Sequence, residues 1–457
     1  MTRGTATGVA QFEDTIVAIA TPAGVGALAL IRLSGPEAYE IAQRHIEPWP
    51  SEPRTTRLTT VHNLGKELDR SLVTLFPGPN SFTGDDTVEI STHGGYLVPA
   101  SVVGALISSG ARQALPGEFT RRAVLNGKLD ILQAEAIGDL IDARSQAMQH
   151  SALSQLDGGL SRRLQQLRED LLGLESLIAY EIDFPEEDDG PVPRDKIESA
   201  IAKMVASLET LLATAPAGEL IREGAVVVIA GPPNAGKSSL FNSLLGRSRA
   251  IVTEIPGTTR DALEAVVDSG QWPLRLVDTA GLRETVDPIE RLGIEVSERY
   301  LEHAAVVIAC AENSAGLVQT VDFVGRKSAA PVIAVRTKAD LAPDGDYLGR
   351  DQTVQVSAHT GAGLQSLLNA INSVIASGYG EAMPDLPMLT KARHQQALGT
   401  ALEEIGQFQQ AWREEKLPAP VASVHLRAAV YVLEELIGAV DVEDILDRVF
   451  SSFCVGK

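Results

Sequence analysis

Apolar residues recur along this chain in three different rhythms. Over residues 14 to about 120 they gather in short β-like runs, 16–20, 27–33, 72–76 and 87–91, with one helical stretch near 98–109. Glycine and proline punctuate the runs at Thr21-Pro22-Ala23-Gly24, Phe76-Pro77-Gly78-Pro79 and His93-Gly94-Gly95. That mixture predicts a small α+β domain. From about residue 119 to 215 the composition shifts to Leu, Ala, Gln, Glu and Arg. Here Leu160, Leu164, Leu167, Leu171, Leu174 and Ile178 fall on one helical stripe. An acidic, proline-bearing stretch at 184–194 interrupts it, and helical periodicity returns over about 389–450 through Leu433, Leu436, Ile437 and Ile445.

Between the helical stretches, over about 223–376, β-rich runs at 225–230, 274–277, 305–309, 332–335 and 353–356 alternate with helical segments. Such alternation predicts a mostly parallel sheet covered by helices. The expected fold is multidomain, α/β and α+β. It comprises an N-terminal α+β domain over 1–120, a helical domain split into 121–222 and 377–457, and an α/β domain inserted at 223–376.

Composition narrows the picture. At 457 residues the chain exceeds a single core. The longest apolar run, 304–311, is eight residues, against about 20 needed to cross a bilayer. No basic region precedes an apolar stretch at the N-terminus, so the expectation is a cytoplasmic protein without membrane partners. Two cysteines, Cys310 and Cys454, are no disulfide framework and are expected as thiols. Asp plus Glu outnumber Lys plus Arg by 60 to 39, a net charge of −21, which disfavours generic adhesion to nucleic acid phosphates.

The strongest chemical signal follows the first run of the insert: Gly231-Pro232-Pro233-Asn234-Ala235-Gly236-Lys237-Ser238-Ser239. This is the phosphate-loop pattern. Backbone N–H groups and a helix N-terminus cradle phosphates, Lys237 reaches the β and γ groups, and the Ser238 hydroxyl ligates Mg²⁺. Asp278-Thr279-Ala280-Gly281 follows the next suitable run, so the aspartate can hold the metal's water shell and the Gly281 N–H can meet the γ-phosphate. In Thr337-Lys338-Ala339-Asp340, Asp340 can accept from guanine N1–H and the exocyclic amine, while Ser357-Ala358-His359 can seat the base. Each short motif is weak alone; their joint order and spacing is that of a Ras-like GTPase.

Further motifs surround these: Pro256-Gly257-Thr258-Thr259-Arg260-Asp261, Asp278-Thr279-Ala280-Gly281-Leu282-Arg283, Gly117-Glu118-Phe119-Thr120-Arg121-Arg122, Asn126-Gly127-Lys128-Leu129-Asp130 and Phe453-Cys454-Val455-Gly456-Lys457. With them the chain resembles the MnmE (TrmE) family of bacterial tRNA-modifying GTPases from Thr15 to Lys457. One departure is Thr337, where the family carries asparagine. An amide can bridge the base and the phosphate loop, and threonine supplies a single hydroxyl, a loss of about 1 kcal/mol.

The resemblance implies the remaining roles. Leu282 occupies the position of the Ras-like water-orienting glutamine and cannot do that work; the family assigns it to a glutamate matched here by Glu290. From the residues alone Glu290 reads also as a solvated helix-face carboxylate. A K⁺ ion would supply positive charge near the phosphates, held by Asn234 and by Thr253, Ile255 and Thr258 of a loop that also includes Glu254, Pro256 and Gly257. Thr259 would complete the Mg²⁺ shell. Asn234 alone reads equally as a helix cap.

The N-terminal domain is implied to resemble folate-binding folds, to form a homodimer and to bind a 5-formyl-tetrahydrofolate-type donor through Arg32, Glu89, Lys128 and Lys457; without the resemblance these are surface charges. Cys454 is a candidate nucleophile at the pyrimidine, with a redox-sensitive or positioning role as the other reading. His93 reads as a ligand, a base or a turn histidine. The implied function is GTP-dependent modification of C5 of the wobble uridine of tRNA, with the flavoprotein MnmG (GidA) as partner. A regulatory switch such as a ribosome-assembly GTPase, and a folate-binding scaffold with vestigial GTPase activity, are the competing readings.

Overall fold

In a computed structural model, the alternating runs near the N-terminus build a sheet whose two faces differ in chemistry. The structure describes residues 13–183, 194–247, 263–278, 300–341, 353–380, 387–414, 419–438, 446, 449–450, 453 and 455–456. Two units emerge: Met1–Gly138 with Glu434–Lys457, and Asp139–Leu433.

The first unit contains β1 (Ile16–Ile19), β2 (Leu28–Ser34), α1 (Ala38–Gln43), β3 (Ile46–Glu47), β4 (Arg57–Asn63), β5 (Lys66–Phe76), β6 (Thr87–His93), α2 (Leu97–Ser108), β7 (Arg112–Gln113) and α3 (Glu118–Leu125), with α4 (Ile131–Asp142) beginning in it. The sheet order is β3-β4-β5-β6-β2-β1-β7, antiparallel except where β7 pairs with β1. Because side chains alternate across a strand, Ile31, Leu33, Val73, Val88 and Ile90 point to one face. There they share a core with Ile41, Val102 and Leu106 of α1 and α2. Arg32 and Glu89 occupy the opposite face as a directly registered cross-strand pair.

The C-terminal motif belongs to this unit. Val455 bridges to Pro116, Phe450 and Phe453 pack edge to face at 5.3 Å, and Phe450 joins a core with Ile131, Ala134 and Leu446. Gly456 approaches β1 so closely that a Cβ there would lie 2.4 Å from the Ile19 carbonyl oxygen. These anchors tie Phe450, Phe453, Val455 and Gly456 to the first unit.

The second unit carries α5 (Gln146–Leu156), α6 (Gly159–Asp183), α7 (Arg194–Leu212), α8 (Ala215–Glu223), β8 (Ala225–Ala230), α9 (Lys237–Arg247), β9 (Leu263–Asp268), β10 (Pro273–Asp278), β11 (Val306–Ala311), α10 (Ser314–Lys327), β12 (Val332–Arg336), β13 (Val354–Gln355), α11 (Leu364–Tyr379), α12 (Ala392–Glu414) and α13 (Ala419–Ile437). The six strands run β13-β12-β11-β8-β10-β9, parallel but for β9, which pairs antiparallel with β10. The stripe of α6 expected from the sequence, Leu160 to Ile178, is buried throughout, and α6 packs on α7, which packs on α12. Residues Arg194–Glu223 reach the length and hydropathy of a membrane span. In this fold they form α7 and α8, and Ile197, Ile201, Met204, Leu208, Leu211 and Ile221 are buried inside the unit. The sheet core also takes in Ala147, Ala217, Ile221 and Met388 from the helical segments, continuous with Val227, Ile229, Leu274 and Ile308.

Candidate functional site

At the carboxyl end of β8, where ligands of parallel α/β sheets gather, the chain turns through Gly231 into α9. Gly231 is dictated by crowding: a Cβ there would lie 2.3 Å from the carbonyl oxygen of Cys310 on the neighbouring β11. Asn234 adopts φ +62, a left-handed conformation that asparagine tolerates better than most residues. Lys237, at the start of α9, donates from Nζ to the carbonyls of Gly231 at 2.9 Å and Pro232 at 3.0 Å. Burial lowers its pKa, partly opposed by the charge of Asp278.

Ser238 Oγ donates to Asp278 Oδ2 at 2.7 Å. Asp278 ends β10, is buried, and its Oδ1 has no hydrogen-bond partner among the described residues. An orphaned carboxylate oxygen beside a serine hydroxyl is a donor set of hard oxygens, which fits Mg²⁺ with its remaining water ligands.

The turn of Thr337 to Asp340 joins β12 to the same pocket. Thr337 Oγ1 donates to the Ala235 carbonyl at 2.7 Å, tying this turn to the phosphate loop. Asp340 lies in a 3₁₀ turn, Ala339–Leu341, and its Oδ1 accepts from Ser357 Oγ at 2.6 Å. That hydrogen bond lowers the Asp340 pKa from the usual carboxylate value, with His359 nearby acting the same way. Ser243 Oγ of α9 donates to the Ala358 carbonyl at 3.0 Å, securing the loop of Ser357 to His359. Gly236, Ser239, Thr337, Lys338, Asp340, Ala358 and His359 border a cavity of about 220 Å³.

In the first unit, Arg32 Nη2 meets Glu89 Oε1 at 2.8 Å, and the guanidinium lies 5.2 Å from the centroid of Phe82 and 5.7 Å from that of Phe119. Lys128 Nζ donates to the Pro79 carbonyl at 2.9 Å, reaching the segment between β5 and β6 that also carries Phe82. Beside them Arg122, fully buried, binds Asp14 at 2.7 Å and Glu118 at 2.9 Å, while Arg112 binds the same two carboxylates. Burial pushes the Glu118 pKa up, but bonds from Arg112, the Leu115 N–H and Arg122 outweigh it and hold the group below its usual value; Asp14 follows the same balance.

Two family models match the chain: the GTP-binding protein TrmE N-terminus over residues 15–128 and the MnmE helical domain over 131–454. A tRNA modification GTPase MnmE from Moorella thermoacetica is 39% identical over 98% of this chain and 100% of that protein. One from Akkermansia muciniphila is 42% identical over 97% and 99%. The chain belongs to the MnmE (TrmE) family. Among solved structures, the G domain of the T. maritima FeoB iron transporter aligns with 33% of this chain and 98% of that chain at 28% identity, with a TM-score of 0.27.

Of the residues expected from the MnmE resemblance, the structure brings together Asn234, Ala235, Gly236, Lys237, Ser238, Asp278, Thr337, Asp340 and Ser357 around one sheet end, and Arg32 with Glu89 on one sheet face. Thr253, Glu254, Ile255, Pro256, Gly257, Thr258, Thr259, Thr279, Ala280, Gly281, Glu290, Cys454 and Lys457 lie outside the described residues. Lys338 turns its ammonium to Glu312. The Gly-Glu-Phe-Thr-Arg-Arg motif of the MnmE family resolves here into a buried ion network through Glu118 and Arg122, with Phe119 beneath Arg32. Sequence reasoning missed Phe82 as a cover for Arg32; an aromatic in a turn-rich stretch gives no periodic signal. His93 is fixed by Asp69, whose Oδ1 lies 2.7 Å from its Nδ1.

Proposed function

We propose that this protein is a GTP hydrolase that, with a flavin-dependent partner of the MnmG (GidA) type, modifies C5 of the wobble uridine of tRNA, adding an aminomethyl-type group. The observation that carries the hydrolase reading is the Ser238–Asp278 pair set against Lys237, with Asp340 at the base end of the same groove. Family membership carries the tRNA reading.

Lys237 and the loop N–H groups bind the β and γ phosphates; Ser238 with Thr259 would hold Mg²⁺, and Asp278 would accept from its water ligands. Mg²⁺ and a K⁺ ion, when bound, offset charge developing on the phosphates. Asn234, Thr253, Ile255 and Thr258 would hold the K⁺. Glu290 orients the attacking water, since Leu282 cannot. A homodimer formed through the N-terminal domains holds a 5-formyl-tetrahydrofolate-type donor through Arg32, Glu89, Lys128 and Lys457, a carboxylate suiting the guanidine-like edge of the pterin and cations the anionic tail. Cys454 is the candidate nucleophile at the pyrimidine, with a redox-sensitive or positioning role as the other reading. Hydrolysis drives domain opening and closing rather than the carbon chemistry itself, and the protein works in the cytoplasm.

Two measurements test this. GTP turnover by the full chain should be much faster in K⁺ than in Na⁺; equal, slow rates in both salts would defeat the cation role. Mass analysis of wobble uridines from cells lacking the protein should show the modified nucleoside gone, and unchanged nucleosides would defeat the tRNA assignment while leaving the hydrolase standing.

A further inference from the structure

The base end of the nucleotide pocket contains one residue whose hydrogen-bonding capacity is smaller than that of the amide the family carries there. Thr337 is 4% exposed. Its Oγ1 lies 2.7 Å from the Ala235 carbonyl oxygen and 3.3 Å from that of Ala311. Both neighbours are acceptors only, so the hydroxyl is the donor, and a threonine hydroxyl has one proton. That proton is taken by the phosphate loop.

Guanine presents N7 and O6 as acceptors on one edge. A hydroxyl whose proton already lies on Ala235 has no hydrogen to give to N7. Two charged neighbours on the pocket wall point to other work: Lys338 Nζ pairs with Glu312, and Asp340 is an acceptor, oriented by Ser357. The backbone of Thr337 is fixed too, its N–H donating to the Ala311 carbonyl at 3.0 Å.

We infer that Thr337 is a latch between the phosphate loop and the base-recognition turn and not a base contact, so that this pocket selects guanine through Asp340 at the N1–H and 2-amino edge and leaves N7 unread. The inference rests on the reading of the chain as a GTP hydrolase. Its ligand class is wider than GTP: purine nucleoside triphosphates that keep the guanine N1–H and 2-amino group, with carbon or nitrogen at position 7.

The test is competition of GTP and 7-deaza-GTP against a fluorescent guanine nucleotide on the full chain. The wild-type protein should bind the two within about twofold. Thr337→Asn, whose amide has one hydrogen for Ala235 and another for N7, should favour GTP over 7-deaza-GTP by about five-fold. Thr337→Val keeps the shape and loses the latch, so both affinities should fall by the same factor, and Thr337→Ser should restore them. A wild-type preference for GTP of about five-fold or more, or a Val variant that alters the ratio, would overturn the inference while the hydrolase reading survived. Failure to bind either nucleotide would overturn both.

Discussion

Asp278 uses one carboxylate oxygen on Ser238 and keeps the other buried without a partner among the described residues. An unpaired buried oxygen is costly, so a cation's water shell beside it is where that cost is recovered. Asp278→Asn should raise the Mg²⁺ concentration for half-maximal GTP hydrolysis by about 10- to 100-fold, read from a metal titration of turnover. Asp340 adds a pH expectation. Its pKa is lowered by the Ser357 hydroxyl bond, so the ionised acceptor persists as pH falls until the folded value is passed. Ser357→Ala should move the acid limb of GTP binding to higher pH; an unmoved limb would show that Ser357 does not tune Asp340. At this scale the phosphate loop, Asp278 and Asp340 were legible because each motif encodes a local backbone shape. The orientation of Lys338 toward Glu312 was not, because Glu312 is 26 residues away in sequence.

Strands and turns carry a different kind of information. Apolar runs at 225–230 and 332–335 became β8 and β12 with almost unchanged ends, since strands buried on both faces read as continuous hydrophobic stretches. β4 and β9 left weaker traces. Arg57–Asn63 is half exposed with Arg, Thr and Asn among its residues, and Leu263–Asp268 lies on the sheet edge. The turn after β8 admits a sharp test: Gly231→Ala would force a methyl against the Cys310 carbonyl and should destabilise the second unit by about 2–3 kcal/mol, measured by chemical denaturation. The ion network joining Asp14, Arg112, Glu118 and Arg122 is the corresponding device in the first unit. Glu118→Gln leaves Arg122 buried with a poorer partner and should cost about 3 kcal/mol at neutral pH. Since Asp14 and Glu118 have lowered pKa values, their stabilisation is present above the ordinary carboxylate range and lost as pH falls through the folded values. The penalty of the variant should therefore shrink in acid.

Across the molecule, the parallel sheet shares a core with the helical segments around it, which no pattern in the sequence signalled. Ala147, Ala217, Ile221 and Met388 lack a shared period, and their contact with the parallel sheet is a product of tertiary packing. Ile221→Ala should cost about 3 kcal/mol and lower the melting temperature of the nucleotide-binding sheet together with that of α8, as one transition in calorimetry. The packing of Phe450, Phe453 and Gly456 was equally invisible, because their partners lie more than 300 positions upstream. The interior strand β11 has a practical corollary. Cys310 is fully buried in it and burial pushes its thiol up to about 12, so maleimides and alkylating dyes find no thiolate there in the folded state. With two cysteines in the whole chain, any fluorophore that couples to the native protein through sulfur marks Cys454, giving a site-selective optical handle on the C-terminal motif without removing a single native residue.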